Sequence, residues 1–243
     1  MSRFDREIDA TAAPPWLATA LRTADTDMEQ LRQRSSTLRE PLLKPRSSAV
    51  LVLLSGDPTA TARPQDASVV ITHRAPTLRS HAGQMAFPGG KVDPGDTNLV
   101  HTALREAEEE TGLDPATVSP LHVLDSIDIS RTGFAVHPVL AHWRAPHPLR
   151  VVDPAETDAV LDVRIDDLLN PENRLMVGFA GWSGPAFRVG EFIVWGFTGG
   201  VLSHLFALAG WAQDWDDSTV HDLRETLAAS ANQEAFTTEG KLR

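Results

Sequence analysis

The chain has 243 residues, 42% of them hydrophobic, with a formal net charge of −11 and no cysteine. That is enough apolar material for one large domain with a sizeable core, and the lack of thiols removes disulfides, thiolate metal sites and cysteine nucleophiles. The acidic balance argues against a general nucleic-acid binder, so an anionic ligand needs a local basic patch or a bridging metal.

Residues 1–46 read as an N-terminal helical extension and linker. Within them "PPWLATALRTA" predicts a short amphipathic helix opened by Pro14 and Pro15. Arg32, Arg34, Arg39, Lys44 and Arg46 read as a solvated basic face. Residues 1–30 mix Arg, Asp and Glu without an apolar run, so no signal peptide is expected and the protein is read as soluble and cytoplasmic. A single domain then spans 47–228. Strands are expected at 49–56 and 68–74, and again within 121–129 and 134–143. A strand and a short helix follow in 158–171, then a hairpin across "GWSGP". The stretch 192–211 holds no acid, Lys or Arg and has the length of a membrane span. Its Gly196, Gly199, Gly200 and His204, and its lack of basic flanks, favour a buried strand followed by a core helix with Thr198 as N-cap. A helix near 217–229 closes the domain, and the polar residues 229–243 read as a disordered tail. Strands interspersed with two or three helices imply a layered α/β (α+β) domain.

The helix starting at Leu99 carries Glu106, Glu108, Glu109 and Glu110 on about a turn and a half. Like charges so placed oppose helix formation. The apolar residues Leu99, Val100, Ala103, Leu104 and Ala107 share one face, and at about 100° per residue Glu106, Glu109 and Glu110 cluster on the neighbouring one while Glu108 points elsewhere. Convergent carboxylates suit a hard divalent cation, which turns the repulsion into binding. Arg105 stands four residues before Glu109 and is placed to fix its rotamer. Gly89 and Gly90 give a tight turn before the helix, and Gly112 stands where a C-terminal stop is expected.

With its glycines, this segment resembles the Nudix box, G-x5-E-x7-R-E-U-x-E-E-x-G-U, in which U is aliphatic. Gly90, Arg105, Glu106, Glu109, Glu110, Gly112 and Leu113 fill its fixed positions. Three departures are present: Asp96 replaces the first Glu, one extra residue separates it from Arg105, and Ala107 fills an aliphatic slot. The preceding "VITHRAPTLRSHAGQMAFPGG" resembles the motif LLTxR(S/A)x3Rx3Gx3FPGG of the coenzyme A diphosphatases in that superfamily, through Thr72, Arg74, Ala75, Arg79, Gly83 and Phe87 to Gly90.

The resemblance implies an α/β/α sandwich with a mixed central sheet. It also implies metal-dependent hydrolysis of the pyrophosphate bond of coenzyme A, giving 3′,5′-ADP and 4′-phosphopantetheine. Mg²⁺ or Mn²⁺ is expected on Glu106, Glu109, Glu110 and the Gly90 carbonyl. Glu156, in the loop-like "DPAET", is the candidate general base, with Glu109 the alternative. Between Ser68 and Val92 there is no Asp or Glu, so Arg74, Arg79, His81 and Lys91 are the candidate substrate contacts; His73 is expected to face away. ADP-ribose, NADH or nucleoside triphosphates are alternative substrates, and a silent nucleotide-binding module is the alternative from another class. No nucleic acid or membrane partner is expected, and the oligomeric state stays open, with a homodimer among the options.

Overall fold

The structure is a computed structural model and describes residues 3–23, 46–129 and 134–234. Its main sheet is built outward from strand β1 (Arg46–Ser55). Along one edge β1 runs parallel to β7 (Phe134–Trp143), from Arg46 opposite Phe134 to Leu54 opposite His142. Its other edge is shared. The short β4 (Gly89–Lys91) pairs with Ser48–Val50, and β2 (Ser68–Arg74) pairs with Leu54 and Ser55, both antiparallel. Strands β3 (Met85–Ala86) and β8 (Thr157–Arg164) flank β2, while β5 (Val118–Val123) and β6 (Ile127–Ile129) pair with β7. The sheet is therefore mixed, with one parallel pair at its centre.

Alternation along β1 builds the layers. Ala49, Leu51 and Leu53 face helix α1 (Leu99–Thr111) in one cluster with Val100, Ala103, Leu104 and Ala107. Val52 and Leu54 face the opposite side, in a cluster with Leu202, Leu205 and Phe206 of α3 (Gly196–Leu208). A strand buried on both faces reads as a continuous apolar run, as "AVLVLL" does. The short helix α2 (Ile165–Leu169) leads to a second sheet of β9 (Arg174–Phe179), β10 (Trp182–Val189), β11 (Phe192–Val194) and β12 (Val220–Asp222), in the order β11-β10-β9-β12. Helix α4 (Leu223–Ala228) packs Leu223 and Leu227 against that sheet.

Several expectations hold in place. Strands at 68–74 and 134–143 have the expected limits, as has the strand and short helix ending before Pro171. Others need correction. The stretch 192–211 is a three-residue strand and a helix, but the N-cap is Trp195; Thr198 is buried inside the first turn. Among the described residues no helix is long and apolar enough to cross a membrane. The hairpin does not turn across "GWSGP". It turns at Ala180 (φ 51°) and Gly181 (φ 84°), so that Trp182 already pairs with Phe179. Two consecutive positive φ values match the right-handed twist of the flanking strands. The single strand expected in 121–129 is two, β5 and β6, and the interruption lies opposite Pro138, which has no N–H to give the ladder.

Both ends of the described chain join the body. The turn Pro15–Leu17 and the helical residues 18–23 put Trp16, Leu17, Ala20 and Leu21 into the same cluster as Val52 and Leu54. At the other end Asn232 is fully buried against the body. The basic face expected at Arg32, Arg34, Arg39 and Lys44, and residues 235–243, lie outside the described residues.

Candidate active site

Local signals set the limits of α1. The Asn98 side chain accepts a hydrogen bond from the His101 N–H at 2.8 Å, the usual N-cap contact. At the other end Gly112, at φ 70°, donates its N–H to the Glu108 carbonyl, the left-handed stop expected of glycine there. With the apolar stripe sunk against β1, the acids are left around the remaining circumference.

Arg105 organises them. Its Nε and Nη2 both donate to Asp96 at 3.0 Å, its Nη1 donates to Glu109 Oε2 at 3.0 Å, and Nη2 also reaches the Lys91 carbonyl at 3.1 Å and Glu106 Oε1 at 3.0 Å. The extra residue before Arg105 is thus absorbed in a loop that the guanidinium ties back to the helix. Burial works against the Asp96 charge, but the Arg105 hydrogen bonds, the Asp93 N–H, the Thr102 hydroxyl and the Arg105 charge outweigh it and hold the carboxyl well below the usual range. A depressed folded pKa contributes stability that is present above the unfolded value, about 4, and lost as pH falls through the folded one. Asp96→Asn is therefore expected to lower stability by about 1–3 kcal/mol at pH 7, and by progressively less in acid; denaturant titrations at pH 7 and pH 3 check this.

Glu106 and Glu110 lie against Gly89 and Gly90, which form strand β4 rather than the expected tight turn. A Cβ added to Gly90 would stand 2.4 Å from the Glu106 Cδ and Oε2, so the carboxylate occupies space that only glycine leaves open. Glu110 is 5% exposed, its Oε2 accepts the Gly89 N–H at 3.1 Å, and Arg74 Nη1 lies 3.9 Å from its Oε1. Burial pushes the Glu110 carboxyl up to about 7, against Arg74 and the Gly89 N–H, with Glu106 and Glu156 adding repulsion. Burial raises Glu106 as well, opposed by Arg105. Buried acids raised in this way, in a pocket of hard oxygen donors, fit a divalent cation, whose charge reverses the shift. Among the described residues no three acidic or histidine side chains already stand around one coordination point. Glu109 is 57% exposed and drawn to Arg105. Glu108 turns away to pair with Arg3 at 2.6 Å, as its place on the helix predicts.

The remaining candidates divide. Arg74 is brought to Glu110, and the exposed Glu156 lies close enough to raise that carboxyl; its carbonyl accepts the Ala75 N–H. His81, at φ 55°, contacts Gln84 through Nδ1 at 2.9 Å. Arg79 and Lys91 are exposed. His73 is 2% exposed and held between Asp158 and the Asn232 carbonyl. Asn232 and Glu234 of the C-terminal segment were not legible as neighbours of this loop, since nothing local in a polar tail signals where it docks. A cavity of about 590 Å³ bounded by Arg188, Glu191, His221, Asp222 and Glu225 has none of the acids of α1 in its lining; its mixed charge suits no pyrophosphate, and the chemistry is assigned to α1.

Comparison with known proteins agrees with this geometry. The NUDIX domain model matches residues 45–175. The chain is 32% identical over 188 residues to NudL of Escherichia coli (strain SMS-3-5 / SECEC), an uncharacterized Nudix hydrolase, covering 75% of this chain and 93% of that protein. It is 34% identical over 170 residues to the mitochondrial Nudix hydrolase 15 of Arabidopsis thaliana, covering 65% and 57%. A solved NUDIX hydrolase from Alicyclobacillus acidocaldarius superposes with a TM-score of 0.45 at 20% identity, over 69% of this chain and 93% of that one. Nudix hydrolases work with divalent metal ions on small nucleotide substrates, and this chain belongs to the NUDIX domain family as a hydrolase of pyrophosphate bonds.

Proposed function

We propose that the substrate is coenzyme A or an acyl or oxidised derivative, cut at its pyrophosphate to 3′,5′-ADP and the 4′-phosphopantetheine portion, with Mg²⁺ or Mn²⁺ as cofactor. The observation that carries this is the acid-free segment 68–92. It delivers Arg74 to the buried Glu110 and leaves Arg79 exposed in the loop beyond, and its sequence resembles the coenzyme A diphosphatase motif. Glu106 and Glu110, with Glu109 and the Gly90 carbonyl, are the proposed cation holders. A divalent cation there neutralises charge developing on phosphorus and acidifies water. Arg105 keeps Glu106 and Glu109 oriented. Glu156 is the proposed base, supported by its proximity to Glu110, and Glu109 is the alternative. The intact glutamates speak against a silent binding module.

Coenzyme A carries a 3′-phosphate besides its pyrophosphate, an extra anionic handle that ADP-ribose and NADH lack. A guanidinium meets phosphate oxygens in a bidentate geometry that an ammonium does not reproduce. On a panel of coenzyme A, dephospho-coenzyme A, ADP-ribose, NADH and dGTP, with products separated by chromatography, coenzyme A is expected to give the highest kcat/KM. Arg79→Lys is expected to lower that value about tenfold, with dephospho-coenzyme A much less affected. Preference for ADP-ribose in the unmutated protein overturns the coenzyme A assignment and leaves the pyrophosphatase standing.

A further inference from the structure

The loop that carries Arg79 has a base, and something holds it. Backbone bonds from the Arg74 N–H to the Gln84 carbonyl (2.9 Å) and from the Gly83 N–H to the Arg74 carbonyl (3.0 Å) close the segment 75–82 into a compact loop. The outer side of that base is covered by the last described residues of the chain. Gly83 sits at φ 74°, and a Cβ there would lie 2.1 Å from the Asn232 carbonyl oxygen and 3.0 Å from the Glu234 nitrogen. The same Asn232 carbonyl lies 3.0 Å from His73 Nε2, one residue before Arg74. Gly83 thus has a physical reason to be glycine: the backbone of 232–234 occupies the position of its missing side chain.

The covering segment is itself fixed. The Asn232 side chain copies a strand partner, Oδ1 accepting from the Ile193 N–H at 2.8 Å and Nδ2 donating to the Ile193 carbonyl at 2.9 Å. Nδ2 also donates to Glu234 Oε1 at 2.9 Å, and the Trp195 indole donates to the same oxygen at 2.8 Å. Gln84, at the loop base, lies close enough to the Glu234 carboxyl to favour its charged form, while Glu234 Oε2 is buried with no hydrogen-bond partner among the described residues. One amide and one carboxyl therefore connect β11 and the start of α3 to the base of the loop.

We infer that Asn232 and Glu234 are positioning residues for substrate binding, holding the base of the 75–82 loop and thereby the placement of Arg79. The assignment rests on the proposed reading that this loop binds substrate phosphates. Among the described residues neither has a hydrogen bond or ion pair to the acids of α1, so their loss should act on substrate affinity rather than on chemistry or cation binding.

The test uses the full chain with Mn²⁺ and coenzyme A. Asn232→Ala and Glu234→Ala are each expected to raise KM at least about fivefold with kcat within about twofold. Half-saturating Mn²⁺ stays at the parental value. Deuterium exchange should rise in 75–84 and stay unchanged in 99–111. Burial pushes the Glu234 carboxyl up to about 7, so the amide is a close mimic and Glu234→Gln is expected to restore the parental KM. Folded alanine variants with parental KM and parental loop exchange overturn the inference. So does a joint fall of kcat and Tm with exchange rising throughout, which is plain destabilisation. If the unmutated chain cleaves nothing on the panel, the substrate reading fails on its own. The exchange measurement then decides whether 232–234 hold the loop: a rise confined to 75–84 supports it and no rise refutes it.

Discussion

Glu110→Gln is expected to lower kcat by about a hundredfold or more while leaving the fold as stable as before. The first half follows from the proposed cation site. The amide keeps the shape of the side chain but removes the charge that a hard cation needs, and losing several kcal/mol of transition-state stabilisation corresponds to that factor. The second half follows from burial. Glu110 is almost fully enclosed and its carboxyl is pushed up to about 7, chiefly by desolvation. A group whose folded pKa is raised prefers to be neutral in the fold, so above its unfolded value the ionised form weakens the structure. A neutral amide removes that penalty, and Tm measured with a chelator at pH 8 should hold or rise. Glu108→Gln is the internal control: its partner is Arg3 on the far side of α1, and turnover should stay within about twofold. Equal losses at Glu108 and Glu110 would contradict the assignment of helix faces.

The second large effect separates two adjacent glycines. Gly89→Ala would place a Cβ 2.5 Å from the Ala49 carbonyl oxygen and the Val50 Cα. Both belong to the backbone of β1, which is paired on each edge and cannot yield, so a loss of about 3 kcal/mol or more is expected. Gly90→Ala instead meets the end of the Glu106 side chain, a flexible group that can swing aside. The fold should survive, with Tm within a few degrees of the parent. The displaced carboxylate should lower turnover about a hundredfold and raise the half-saturating Mn²⁺ concentration. Thermal unfolding and a metal titration of the two variants, side by side, check both halves. A Gly90→Ala protein with normal metal dependence would remove Glu106 from the proposed site.

Much of this molecule is written locally. The helix from Leu99, its Asn98 and Gly112 ends, the separation of Glu108 from the other acids and the pairing of Arg105 with Glu109 follow from a 3.6-residue period and from spacings of three and four. The strands at 68–74 and 134–143 follow from β-rich apolar runs bounded by turn residues. These features depend on neighbours a few residues away, so a single sequence displays them. The tertiary structure decided the rest. It sank Glu110 beside Arg74 and left Glu109 exposed, because the depth of each acid depends on where the Gly89–Lys91 strand docks on β1. It gave Asp96 its purpose as the anchor of Arg105 across the extra residue. It moved the N-cap from Thr198 to Trp195 and the hairpin turn to Ala180 and Gly181, where pairing across the second sheet fixed the register. Trp16 and Asn232 are the clearest cases. One fills a core built from strands more than thirty residues away, and the other completes a loop some 150 residues earlier in the chain. Contacts at that separation leave no periodicity and no spacing to read, because their energy comes from surfaces that exist only once the sheet has formed.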